Sequence, residues 1–267
     1  MRMGALLNRT LFFKTMNANL KRIFEKYIGD LESAVVNLDV ENAPVFLNEA
    51  EHSRFRYKNE TLEVACFLKA VRVMYGLNAL IPVMEAGFPF EAGVIIRSLD
   101  EAFNDIHFLL ENYPNDLSSH QEKYLIEFFQ EEFVDPADTT KGNNPRNRIN
   151  NKKIHAAVAR KMKKYSNPSD HQKMTQTISN AFSGYVHSAY PHIMEFYGGS
   201  PPSFHFQGLR GTPVIKKWEL QLIQTYYRAG LVVAAIASAY KNVEVVNKLY
   251  HLRRWYEKNT GYDFEEK

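Results

Sequence analysis

Three polar side chains on two predicted helices have the types and spacing of a site for acid-base chemistry. Arg97 and Glu101 lie four residues apart on a helix predicted over 89–112, and His187 lies on another predicted over 169–197. Residues four apart share one helix face, so Arg97 and Glu101 project in the same direction. Histidine is the side chain that most readily exchanges a proton near neutral pH. If the two helices meet, these residues are candidates to line one cavity.

Each of these residues also has a structural interpretation, which stays open. Arg97 and Glu101 are placed to form an ion pair on the polar face of an amphipathic helix. Val94 and Phe108 lie on the same face, which indicates that it is partly covered and that its charges need partners. A single helical histidine such as His187 is also a common packing residue.

A basic segment follows an acidic one in the middle of the chain. Between Asp138 and Asp170 there is no acidic residue. The cations that we predict to contact nucleic acid lie there: Lys141, Arg146, Arg148, Lys152, Lys153, Lys161, Lys163 and Lys164. Concentrated positive charge is the electrostatic footprint of a polyanion partner. The alternative is a solvated surface on which these cations pair with the acidic residues of 127–138.

The composition argues against a disordered, a disulfide-bonded or a membrane-spanning protein. The chain has 267 residues, of which 45% are hydrophobic and 24% charged, as in globular proteins. Its net charge of +3 is too small to imply a nucleic-acid partner by itself. The only cysteine, Cys66, cannot form an internal disulfide, which fits a reducing, cytoplasmic compartment. The longest apolar run, 229–240, is shorter than the roughly 20 residues of a membrane span, so no membrane association is expected.

Metal and cofactor motifs are absent from the sequence. No Gly-rich phosphate loop or zinc-type cysteine pair occurs. The Glu-x-x-His unit at Glu49–His52 resembles half of a di-iron site but has no second copy. We therefore expect neither a metal nor a cofactor.

Helical periodicity predicts a single all-α domain over residues 1–267, built as a multi-helix bundle with long core helices. The predicted helices cover residues 8–38, 44–57, 59–86, 89–112, 117–134, 151–165, 169–197, 213–241 and 243–259. The alternation of apolar and polar residues that is typical of β-strands is not recognised in the sequence. The polar loop at 135–151 predicts that 135–165 projects from the bundle as a basic element.

The motif Arg-Ser-Leu-Asp-Glu-Ala at 97–102, followed about 80 residues later by Tyr-Val-His at 185–187, resembles an uncharacterised family of bacterial all-α domains. That family is distantly similar to the HEPN superfamily of helical proteins, and the resemblance covers about residues 60–196. It implies a helical bundle with a role in toxin, RNA-processing or phage-defence systems. By position, Arg97, Glu101 and His187 match the family's recurrent polar residues.

The resemblance leads to an RNA-directed protein as the first hypothesis, in the form of a metal-independent endoribonuclease. In that mechanism His187 takes a proton from a ribose 2′-hydroxyl, Arg97 stabilises charge on the phosphate, and Glu101 orients either of them. HEPN ribonucleases use an Arg followed a few residues later by a His. Arg148 and His155 have that spacing, and chance alone accounts for such a match.

Two other classes of function stay open. One is a non-catalytic interaction or oligomerisation module, for which the apolar residues of 220–240 would provide the interface. The other is an enzyme or sensor with a small-molecule pocket, since helical bundles readily accept ligands in their cores.

Overall fold

A computed structural model describes residues 16–38, 43–49, 52–135, 138–161 and 167–262. The helices within these ranges are α1 (Ala18–Val36), α2 (Leu62–Glu85), α3 (Pro89–Leu109), α4 (Ser119–Phe129), α5 (Asn151–Lys161), α6 (Pro168–Val186), α7 (Tyr190–Ile193), α8 (Pro213–Ala239) and α9 (Val243–Thr260). Two antiparallel hairpins accompany them, β1 (Val45–Glu49) with β2 (His52–Arg56) and β3 (Tyr197–Gly198) with β4 (Ser203–Phe204). The predicted all-α bundle is confirmed. The predicted start of the first helix, before residue 16, lies outside the described residues.

The predicted helix over 44–57 is wrong, because the described residues of this segment form the paired strands β1 and β2. Phe46 lies opposite Phe55, with ring centroids 5.1 Å apart. Arg56 on β2 donates two hydrogen bonds to the carboxylate of Glu131, at 2.5 and 2.8 Å. A cross-strand aromatic pair and a contact distant in sequence therefore stabilise strands here.

The predicted helix over 169–197 is too long. Helix α6 ends at Val186, and Ser188 adopts a left-handed backbone conformation with φ of 50°. Pro191 follows within one turn, and a proline in a helix interior removes a hydrogen bond and clashes with the carbonyl four residues before it. The chain therefore turns at 187–189 before α7 begins.

Helix α3 lies at the centre of the bundle and packs against α2, α5, α6 and α8. On the far side, α1 packs against α2, α8 and α9. Helix α5 belongs to this bundle, since Ile154 and Ala157 are buried. Within the 135–165 segment, α5 therefore packs against α3 and α6, and whether the rest of the segment projects stays a prediction.

Stacked aromatic rings join α1, α8 and α9 in the core. The ring centroids of Phe24 and Tyr226 are 4.2 Å apart, and so are those of Tyr27 and Tyr256. The buried hydroxyl of Tyr226 donates to the Leu77 carbonyl at 2.7 Å, which satisfies a group that would be costly to bury alone. Burial raises the pKa values of Tyr226 and Tyr256 above the ordinary tyrosine value.

Helix α2 is long and apolar enough to span a membrane by length and composition alone. A core helix has the same properties, and 56% of the relevant stretch is buried inside the bundle. This one helix is therefore weak evidence for a membrane segment.

Candidate functional site

Arg97 and Glu101 are ion-paired on α3, as their spacing predicts. The Arg97 Nη2 atom lies 2.8 Å from Glu101 Oε1. The Arg97 side chain is 13% exposed and that of Glu101 is 52% exposed, so the pair lies at the edge of a partly covered face. This geometry agrees with the structural interpretation of the pair and leaves a catalytic role a prediction.

His187 is exposed at the C-terminal end of α6, where its backbone N–H donates to the Ser183 carbonyl. Among the described residues, no hydrogen bond, ion pair or ring contact joins His187 to Arg97. The close contact between α3 and α6 at this end is made by Gly93 and Tyr185, since a Cβ added at Gly93 would lie 2.6 Å from the Tyr185 ring. The structure therefore pairs Arg97 with Glu101, and a site shared with His187 stays a prediction.

A different histidine lies near Arg97. His155 on α5 is 6% exposed, and burial lowers its pKa below the ordinary value of 6.5. The carboxylate of Asp100 acts in the opposite direction, and the charge of Arg97 lowers the pKa of His155 further. Burial therefore favours the neutral form of His155 inside the bundle.

Most of the predicted nucleic-acid-binding cations that the structure describes have carboxylate partners. Lys141 contacts Asp135 at 2.6 Å, and Arg146 contacts Glu132 at 2.7 Å. Arg148 lies 3.7 Å from Glu127, which Arg146 also contacts, at 3.4 Å. These pairs agree with the alternative in which the basic segment is balanced by the acidic one.

Two of the cations predicted to contact nucleic acid, Lys152 and Lys153, have no carboxylate partner among the described residues. Lys152 and Lys153 are exposed and form no ion pair with a described carboxylate, and Lys153 Nζ lies 2.9 Å from His120 Nε2. The side chain of Lys161 and the whole of Lys163 and Lys164 lie outside the described residues.

The most completely buried charge in the described structure is Asp100 on α3, with no exposed surface. Its Oδ1 atom accepts a hydrogen bond of 2.5 Å from Arg228 Nη2 on α8. The amide of Asn104 donates to Oδ2 at 3.4 Å. The Arg228 guanidinium lies over the Phe103 ring, 5.0 Å from its centroid. The buried carboxylate and the ring together fix the orientation of Arg228.

Sequence reasoning missed this pair. Asp100 lies between Arg97 and Glu101 in the motif, yet it is fully buried whereas the side chain of Glu101 is half exposed. The available signal was Arg228, a cation directly before the apolar run 229–240, because a charge in a buried helix needs a partner.

Arg228 also lines a large open cavity between α6 and α8, which extends to Arg253 on α9 and has a volume of about 1230 Å³. We call it the α6–α8 groove. Most of the side chains that line it are aromatic, aliphatic or cationic, among them Ile178, Phe182, Tyr185, Trp218, Arg228 and Arg253. Helices α6 and α8 both pack on α3, and aromatic side chains bridge the space between them.

The bridge between α6 and α8 is built from rings in edge contact. The Trp218 ring centroid lies 5.3 Å from that of Tyr185 and 6.4 Å from that of Phe182. The Tyr185 hydroxyl donates to Glu195 Oε1 at 3.0 Å, which fixes its ring. Trp218 and Phe182 are themselves mostly buried, so these rings form a rigid wall.

His192 lines the α6–α8 groove. Its Nε2 atom lies 3.1 Å from the Ala181 carbonyl, and its ring lies against Gly184, where a Cβ would overlap the imidazole. Because a carbonyl only accepts, Nε2 is assigned as the donor, and the buried Nδ1 atom has no hydrogen-bond partner in the described structure. A glycine is therefore required for this contact.

Within the described ranges, no group of three or more His, Cys, Asp or Glu side chains is arranged to hold a metal ion.

The fold and the site define an all-α bundle with an open, largely apolar groove and an arginine fixed at its wall. Comparison of the chain with protein-family models, with curated proteins and with solved structures found no match in any of the three.

Proposed function

We propose that this protein binds a small organic ligand in the α6–α8 groove, the small-molecule class of function that the sequence leaves open. The observation that supports it is an apolar, aromatic cavity that also contains an oriented Arg228. Ligand sites are typically concave, with a mostly apolar lining, a few fixed polar groups and a volume of about 300–1,000 Å³. At about 1230 Å³, the groove can hold such a ligand and still open to solvent.

Several polar groups of the groove are fixed in place by hydrogen bonds, which is the second requirement of a ligand site. Gln224 donates from Nε2 to the Tyr262 hydroxyl at 3.1 Å. Tyr227 donates to Glu257 Oε1 at 3.2 Å. These side chains line the groove in set orientations, so a ligand would meet them without first ordering them.

A bulky ring placed in the groove should block an apolar ligand. We expect wild type to bind N-phenyl-1-naphthylamine, an uncharged fluorophore, and Ala181→Trp to weaken that binding about tenfold or more, because lost burial of one ring is worth more than 1.4 kcal/mol. Ala181 is exposed and lines the groove. The measurement is a fluorescence titration.

The matched control is Asn180→Trp, at an exposed neighbouring position on α6 that does not line the groove. It should bind the fluorophore as wild type does. Equal binding by both variants, or none by wild type, would exclude the groove as a ligand site.

RNA-directed function, including the endoribonuclease mechanism with Arg97, Glu101 and His187, is a second proposal that concerns a different surface. It is supported by exposed Lys152 and Lys153, which lack described carboxylate partners. The ion pairs of Lys141, Arg146 and Arg148 favour the alternative of a balanced surface.

A charge reversal separates the two interpretations of the basic segment. If RNA binds there, Lys152→Glu with Lys153→Glu should weaken retention of mixed RNA about tenfold and reduce its salt dependence by about two phosphate contacts. The control is Lys216→Glu with Lys258→Glu, two exposed lysines outside this segment.

A cleavage assay in the presence of a chelator tests the endoribonuclease mechanism. RNA cleavage by wild type that is lost in both Arg97→Ala and His187→Ala would support it. If wild type neither retains nor cleaves RNA, RNA-directed function is excluded.

A further inference from the structure

A second, smaller cavity lies between α3, α4 and the start of α5, and its described lining shares no residue with the α6–α8 groove. We call it the α3–α4 pocket, and its volume is about 290 Å³. Charged side chains of both signs line it: Glu101, Asp105, Glu127, Lys69, Arg146 and Arg148. We infer that this pocket binds a small zwitterion, a free α-amino acid with an aliphatic side chain. This inference does not rest on the ligand proposed for the groove.

Two of the least exposed charges in the α3–α4 pocket are paired with each other. Lys69 Nζ lies 2.6 Å from Asp105 Oδ2, and the two side chains are 19% and 14% exposed. The Lys69 ammonium also lies over the rings of Tyr124 and Phe128, 5.5 and 5.2 Å from their centroids. Each of the two charges therefore has its counter-ion, and a ligand of zero net charge leaves that balance intact.

Glu101 provides a carboxylate for the ammonium end of the ligand. Its side chain is 52% exposed, and Arg97 is its ion-pair partner among the described residues, at 2.8 Å. A carboxylate has two oxygens with about four acceptor sites. Glu101 can therefore accept a hydrogen bond from a ligand ammonium while it stays paired with Arg97. Asp105 lies one turn further along α3 and lines the same pocket, which adds to the attraction for a cation.

Arg148 provides a guanidinium for the carboxylate end, from a different segment of the chain. It is 78% exposed, and its Nε atom lies 3.7 Å from Glu127 Oε1, which is beyond hydrogen-bond distance. Its planar fork of N–H donors is therefore available for a carboxylate. Asn151, the first residue of α5, lines the same pocket. The N-terminus of a helix carries a partial positive charge, so it favours the same end of the ligand.

The size and the apolar part of the α3–α4 pocket select the body of the ligand. Sites for drug-sized ligands have about 300–1,000 Å³, so a cavity of about 290 Å³ suits a smaller molecule. Ile149 and Ile154 are buried and line it, and an aliphatic side chain can pack on them. An amine or an acid alone would match one end of the pocket and meet a like charge at the other.

Three probes of nearly the same shape test this inference. At pH 6, where α-amino groups are protonated, L-leucine carries both charges, L-leucinamide only the ammonium and 4-methylpentanoate only the carboxylate. We expect wild type to bind L-leucine about tenfold more tightly than either other probe, the size of one hydrogen bond to a charged group. Saturation-transfer NMR titrations measure the three affinities. Equal affinities, or no saturable binding of L-leucine, would overturn the inference.

Two variants assign each end of the ligand to its partner. Arg148→Gln should weaken binding of L-leucine about tenfold and should not weaken binding of L-leucinamide, which has no carboxylate. Glu101→Gln should weaken binding of L-leucine by a similar factor and should not weaken binding of 4-methylpentanoate. If both variants bind L-leucine as wild type does, the α3–α4 pocket is not its site.

The matched controls remove similar charges outside both cavities. Arg254 is 59% exposed and lies 3.7 Å from Glu257, and Glu25 is 53% exposed and pairs with Lys21 on its own helix. Arg254→Gln and Glu25→Gln should each leave binding of L-leucine unchanged. Losses as large as those in Arg148→Gln and Glu101→Gln would mean that total charge, and not the pocket, is responsible.

The same titrations keep this inference apart from the proposed function. L-leucine should not displace N-phenyl-1-naphthylamine, and Ala181→Trp should leave binding of L-leucine unchanged. Loss of L-leucine binding in Ala181→Trp would assign the amino acid to the α6–α8 groove and overturn the inference. If only the fluorophore fails to bind wild type, the proposed function fails and the zwitterion site stands.

Discussion

Replacing Arg228 with Met is expected to lower the free energy of unfolding by about 3 kcal/mol, because the Asp100 carboxylate then loses its cation. Asp100 is fully buried, and its other hydrogen-bond donor is the Asn104 amide at 3.4 Å. Breaking a buried pair by removing one partner costs about 3–5 kcal/mol. The low end applies because Arg228 is itself about one-third exposed.

The two halves of this pair should not be equivalent. Asp100→Asn is expected to cost about 1 kcal/mol, since the partly exposed Arg228 remains solvated and the amide can still accept a hydrogen bond. The double variant Asp100→Leu with Arg228→Met should regain much of the loss, because replacing both partners leaves no buried charge. Urea unfolding of each variant measures these differences.

The pH dependence identifies the unpaired carboxylate as the cause. In Arg228→Met, a buried carboxylate without a cation is penalised only in its charged form, so the penalty should shrink as the pH falls. The loss of stability should therefore be smaller at pH 5 than at pH 8. Lys216→Met, at an exposed position, should show neither the loss nor the pH dependence. A loss independent of pH would mean that altered packing, and not charge, is responsible.

Replacing Gly230 with Ala is expected to lower the free energy of unfolding by about 2 kcal/mol. A Cβ at this position of α8 would overlap the hydroxyl of Tyr27 on α1, and Tyr27 is only 1% exposed. Overpacking of this kind costs about 1–3 kcal/mol, and a buried ring cannot move aside easily. The gain in helix propensity, about 1 kcal/mol, offsets part of that cost.

A second substitution makes this prediction specific. Tyr27→Phe removes the overlapping oxygen, so Gly230→Ala should cost much less in a Tyr27→Phe background than in wild type. Gly29→Ala on α1 is the matched control, since nothing lies within 4 Å of a Cβ there, and it should stabilise the protein by about 1 kcal/mol. Thermal or urea unfolding measures all four variants. Additive effects of Gly230→Ala and Tyr27→Phe would show that the overlap is not responsible.

The helices that could be predicted from the sequence are those with local signals. Pro89, Pro168 and Pro213 each lie in the first turn of a helix, where proline is favoured. Ser118 caps α4 through a capping box, and the apolar periodicity of α2, α3, α8 and α9 is long. The helix predicted over 44–57 was wrong because the strands there depend on the contact of Phe46 with Phe55 and on that of Arg56 with Glu131. Helical periodicity along the chain does not register such contacts.

The candidate site also contains one feature that the sequence predicts and one that depends on the tertiary structure. The Arg97–Glu101 pair follows from helix spacing alone, and the structure has it at 2.8 Å. His187 was placed by a motif, but its distance from α3 depends on where α6 ends and the chain turns at Ser188.

The sequence by itself determined an all-α bundle, its long core helices and the ion pair on α3, because periodicity and four-residue spacing act within one helix. Only the tertiary structure decided which charges are buried and which face a cavity. Asp100 and Arg228 are 128 residues apart, and the α6–α8 groove exists because α6 and α8 pack on α3 with aromatic side chains between them. Such contacts depend on how helices pack in space, and residue spacing along the chain does not specify that packing.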